Sequence, residues 1–129
     1  MFSIEDIQNA HAKVKSGADF PAYIQDLKKL GVIRYETFVS DGHTVYLGEN
    51  EFRASSPAKY DEMKIADNSD AEQFKSDLKS HQQGNTDYKK FCSDCAKSGI
   101  EKWIVDLEKM TCTYYDKSGN EILVETIPG

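Results

Sequence analysis

Cys92-Ser93-Asp94-Cys95 is the part of this chain that most resembles chemistry, because two thiols three residues apart can form a redox pair or half of a zinc site. The periodicity around them predicts a helix over Tyr88–Ser98, so the pair falls in mid-helix. The terminal position, where the helix dipole would acidify a thiol, is not theirs. Zinc needs four ligands, and Cys112 is the only further thiol. Histidine is the next candidate. His11 and His81 lack the i+4 partner of an HExxH site. His43 follows the turn Asp41-Gly42, and Asp41 could orient it as a base. A hairpin tip, however, lacks the walls that exclude water. Glycine-rich phosphate loops and GxSxG elbows are absent from the sequence.

An internal repeat provides a control on these candidates. At an offset of 68, Tyr23 meets Phe91, Asp26 meets Asp94, Gly31 meets Gly99, Tyr35 meets Trp103 and Tyr46 meets Tyr114. The offset is 67 upstream, where Glu5 meets Glu72, and 70 downstream, where Asn50-Glu51 meets Asn120-Glu121. The slips fall where turns are expected. Cys92 and Cys95 match Ile24 and Leu27, both on an apolar helix stripe, which favours a packing role for the thiols. His11 matches Leu78 and His81 matches Val14, so both read as packed side chains. Thr111 stands where the first copy has His43. No cofactor and no metal is expected, and the chain reads more readily as a non-enzyme than as an enzyme.

The elements that would position these residues run helix, helix, strand, strand, strand, twice over. Ser3 opens the first helix, which carries Ile4, Ile7, His11 and Val14 to Gly17, and Asp19 caps the second, which ends at Gly31. Strands are expected at Val32–Ser40, Thr44–Leu47 and Glu51–Ala54. Ser69-Asp70-Ala71-Glu72 reads as a capping box for the third helix, and Thr86 or Asp87 caps the fourth. Strands follow at Ile100–Leu107, Thr111–Tyr115 and Glu121–Ile127. This order implies an α+β fold with an antiparallel sheet of about six strands and the helices on one face. Residues 1–129 would form one domain of two pseudo-symmetric repeats, 4–52 and 71–122. Residues 55–68 would link them, with Met63-Lys64-Ile65 able to add a short edge strand.

At 129 residues, 39% apolar and 29% charged, the chain has the make-up of one well-solvated globule. A net charge of −6 argues against binding nucleic acid by phosphate neutralisation. The first residues show no basic region followed by an apolar run, and no stretch approaches a membrane span. With an odd number of cysteines, the expected location is cytoplasmic, with reduced thiols.

Strand alternation places Ile33, Tyr35, Val39, Trp103, Val105 and Leu107 beneath the helices. The opposite parity holds Arg34, Glu36, Phe38, Lys102, Ile104 and Asp106, a mixed face suited to a protein partner or to self-association. The alternative is a small-molecule binder or enzyme with a pocket between the repeats near His43, Tyr46 and Tyr114.

Ser16-Gly17-Ala18-Asp19-Phe20, Val39-Ser40-Asp41-Gly42-His43, the run from Phe91 to Trp103 and the run from Met110 to Asp116 together carry a resemblance along the whole chain. It resembles a small bacterial family whose members sometimes bear the name phage envelope protein. The resemblance implies a prophage setting and brings no activity, substrate or catalytic residue with it. A lipid-envelope role fits poorly, because no anchor or basic amphipathic helix is present.

Overall fold

Ser3 and Asp6 begin the fold with a reciprocal cap: the Ser3 hydroxyl accepts from the Asp6 N–H at 3.1 Å and the Asp6 carboxylate accepts from the Ser3 N–H at 3.0 Å. The computed structural model describes residues 2–14 and 19–127. Helix α1 is Ile4–His11 and α2 is Phe20–Leu30, followed by strands β1 (Val32–Phe38), β2 (Thr44–Gly48) and β3 (Arg53–Ser55). Helices α3 (Ala71–Gln82) and α4 (Tyr88–Lys97) then lead into β4 (Ile100–Asp106), β5 (Thr111–Asp116) and β6 (Glu121–Thr126). The fold is α+β, as expected. One antiparallel six-stranded sheet runs in the order β3-β2-β1-β4-β5-β6, and the helices pack against it.

The register makes the duplication visible. Tyr35 pairs with Tyr46 and Trp103 with Tyr114, so the first hairpins of the two halves correspond residue for residue at the offset of 68. In the central ladder Tyr35 faces Val105 and Thr37 faces Trp103, each pair being the image of the other. Glu36 faces Ile104, its own repeat mate, and so lies on the pseudo-twofold axis. Both first strands carry a bulge at the same place, between Val32 and Arg34 and between Ile100 and Lys102. The offset of 70 does not extend to the third strands. Tyr46 pairs with Ala54 and Tyr114 with Leu123, an offset of 69, because β5 and β6 slip by a bulge at Tyr114/Tyr115.

The apolar stripes of the helices and the inner parity of the strands meet in one core. Ile24, Leu27, Phe74, Cys92, Cys95 and Ile100 are fully buried. Each large aliphatic side chain among them contributes about 1.5–3 kcal/mol by leaving water. Tyr35 and Tyr46 meet with tilted rings at 5.5 Å between centroids, Trp103 and Tyr114 likewise at 6.1 Å, and all four are buried, so the repeated aromatics are core residues.

Several expectations are corrected. Helix α1 stops at His11, with Ala12 as its C-cap, so Val14 lies beyond it. Gly17 falls outside the described residues. Asp70, rather than Ser69, caps α3 by accepting from the Gln73 N–H at 3.0 Å. Asp87 caps α4 through the Lys90 N–H at 2.8 Å. Ile33 is only half-buried, because the bulge gives its inward place to Val32. Residues 49–51 form a 3₁₀ turn, which delays β3 to Arg53. Met63-Lys64-Ile65 is not a strand: no ladder forms, although Ile65 is buried.

Instead, residues 56–70 cross the molecule as a strap. Lys59 N–H donates to the Asp41 carbonyl at 2.8 Å, Met63 N–H to Ser40 at 2.6 Å, and Ala66 N–H to Ala96 at 2.9 Å. The strap therefore ties the first hairpin to helix α4.

Candidate functional site

The side of the sheet away from the helices is built by strand alternation, and the register lines its residues into rows. One row runs Ser55, Val45, Glu36, Ile104, Thr113, Val124 across all six strands. A neighbouring row sets Leu47 beside Arg34, and Arg34 beside Asp106. The structure thus brings Arg34, Glu36, Phe38, Lys102, Ile104 and Asp106 onto one face, and most of them are half-buried by one another. Val124, at 51% exposed, is the most open large apolar side chain among the described residues.

Lys102 is the hub of this face. Its ammonium donates to Glu36 Oε1 at 2.6 Å and lies 5.9 Å from the Phe38 ring centroid and 5.7 Å from that of Tyr115. His43 stacks on Phe38 at 4.5 Å between ring centroids and nearly parallel to it. The Nδ1 of His43 is 2.6 Å from Asp41 Oδ1, and its backbone N–H donates to the same oxygen at 3.0 Å. That backbone donation, followed by the imidazole contact, holds the Asp41 carboxyl below its ordinary 3.8. Lys102 thus sits as a cation near two rings and a carboxylate, in the row Phe38, Lys102, Tyr115 that runs beside Ile104.

The structure does not bring His43 together with Tyr46 and Tyr114. Tyr46 and Tyr114 point beneath the helices and are buried, whereas His43 stands with Phe38 on the opposite side of the sheet. His43 and Tyr46 are three residues apart, an odd separation in a region of period two, so the sequence carried the signal.

Beneath the helices, Tyr60 from the strap and Tyr88 from α4 lie beside the Cys92 thiol. The Tyr60 hydroxyl donates to the Val39 carbonyl at 2.5 Å. Burial pushes the Cys92 and Cys95 thiols up from their ordinary value, and Cys112 up to about 12, so all three stay protonated near neutral pH. All three are free and buried. His81 is a packed side chain, stacked on Phe91 at 4.5 Å with its Nδ1 3.0 Å from the Thr86 carbonyl. His11 departs from its expected place: it is exposed, although its ring meets the edge of Tyr23 at 5.3 Å. Among the described residues no group of three or more His, Cys, Asp or Glu side chains could hold a metal ion. No helix among them is long and apolar enough to cross a membrane.

Sequence reasoning missed Val45, Tyr115 and Val124 on the outer face, although alternation along β2, β5 and β6 carries them. The site defines the class: an α+β protein of duplicated pattern with one sheet face left uncovered by its helices. The chain belongs to the family described as "Protein of unknown function (DUF1398)", whose model matches residues 8–126. No curated protein matches it.

Proposed function

We propose that this protein is a non-enzymatic interaction module, built from repeats 4–52 and 71–122, that associates with a second copy of itself through the outer sheet face. The observation that carries this reading is the row Val45, Ile104, Val124, with apolar side chains on three strands and Glu36 and Thr113 between them. Charged Arg34, Asp106 and Lys102 flank the row, giving an apolar centre with a polar rim. A twofold dimer would use each of these contacts twice. The resemblance to chains named for phage envelopes supports a prophage setting, though not a role in lipid.

Sedimentation equilibrium of the whole chain tests the reading. A dimer that the double change Phe38→Asp and Ile104→Asp converts to a folded monomer is the expected result. A wild type that stays monomeric at high concentration overturns it.

A further inference from the structure

The strap fills a groove in the second half whose counterpart in the first half is an open cleft. Four contacts seat strap residues 63–69. Met63 N–H donates to the Ser40 carbonyl and Ala66 N–H to the Ala96 carbonyl. Asp67 pairs with Lys117 at 2.8 Å. The backbone at Asn68 and Ser69 presses on Gly99, where an added Cβ would come within 2.7 Å of the Asn68 carbonyl oxygen. Moving each of the four receiving positions by 68 residues gives Glu108, Lys28, Glu49 and Gly31. All four line one cleft of about 420 Å³, floored by Val32, Ile33 and Leu107. At Gly31 an added Cβ would meet nothing within 4 Å, so no described residue fills the place that the strap backbone takes at Gly99.

The acceptors are preserved as well. The Ala96 carbonyl, which receives the strap, also accepts from Gly99, and the Lys28 carbonyl accepts from Gly31 in the same way. Among the described residues, none is seen to give the Lys28 carbonyl the donor that Ala66 N–H gives the Ala96 carbonyl. Across the axis, Val39 N–H donates to Glu101 and Leu107 N–H to Ile33, at 2.8 and 2.9 Å, so the two floors have the same geometry. What changes is charge. Lys117 is replaced by Glu49, Ser40 by Glu108 and Ala96 by Lys28, so the four positions turn from one net positive charge to one net negative charge.

We propose that this cleft binds an extended segment of a partner protein, laid as the strap is laid in the other half. The segment carries apolar side chains two residues apart, at the places of Met63 and Ile65. A small residue follows, and then a lysine or arginine stands where the strap has Asp67. The strap supplies the template for backbone and spacing, and Glu49 supplies the reason for the cation. This site is separate from the outer sheet face, and either can fail without the other.

The test titrates the ¹⁵N-labelled full chain with two end-capped heptapeptides. One has the sequence of residues 62–68, and the other carries Asp67→Lys in that sequence. Saturable shifts at Gly31, Val32, Ile33 and Leu107 are expected, with the lysine peptide bound up to about fivefold more tightly, the scale of one exposed ion pair. Glu49→Lys, an exposed change, should reverse that preference. The proposal is overturned by no saturable shift at millimolar peptide. Shifts at Ser40, Ala96 and Gly99, meaning that the peptide only displaces the strap, overturn it too. Equal binding of the two peptides, or a preference unmoved by Glu49→Lys, overturns the cationic partner.

Discussion

Gly31 and Gly99 end α2 and α4 in the same left-handed conformation, at φ 98° and 79°, and differ in what lies beyond the missing Cβ. A side chain at Gly31 would face open space, whereas one at Gly99 would meet the strap backbone at 2.7 Å. Gly31→Ala should therefore cost about 1 kcal/mol, the strain of a left-handed alanine. Gly99→Ala should cost clearly more, about 2–3 kcal/mol, because a backbone must also move. Urea denaturation of the two variants checks this, and equal costs would show that the strap yields freely.

Asp41 gives the stability a component that depends on acid. Its folded value is depressed below 3.8, so its contribution is complete above the unfolded value and is lost as pH falls through the folded one. Asp41→Asn should be less stable than the wild type wherever the Asp41 carboxylate is charged. The gap should close progressively below pH 3.8. Thermal melts across that range read it directly, and a gap that widens in acid contradicts the assignment.

The thiols should behave as core atoms. Because burial raises all three, Ellman's reagent at neutral pH should label Cys92, Cys95 and Cys112 only as the chain unfolds. Labelling against denaturant should track the circular dichroism transition. Cys92→Ala or Cys95→Ala should each cost about 1–2 kcal/mol through lost packing. Rapid labelling of the native chain would place a thiol at the surface.

Much of this fold was legible in the sequence because its signals are local. Single glycines and proline mark the helix ends, and repeated aromatics mark the core: Tyr35, Tyr46, Trp103 and Tyr114 went where alternation put them. Bulges were not legible, because nothing in Val32-Ile33-Arg34 announces an extra residue in the ladder. The 3₁₀ turn before β3 depends on Asn50 and Glu51 adopting positive φ, 57° and 62°, which only neighbouring structure can impose. The strap was least legible of all. It is held by separate backbone bonds to Asp41, Ser40 and Ala96, which leave no periodic trace in its side chains. The outer face was readable from parity; the cleft needed coordinates and the repeat together.

The strand order has one more consequence, for keeping molecules apart. Because the sheet unfolds outward from Glu36 and Ile104, both of its margins are third strands. Strand β3 spans three residues, too few to template a neighbour, but β6 spans six and bears exposed Val124. Within β6 the bulge opposite Tyr114 and Tyr115 breaks the regular alternation, so a second β6 finds no flat six-residue edge to pair with. The net charge of −6 adds a general repulsion between copies. A single bulge at the rim of the sheet thus works against edge-to-edge aggregation.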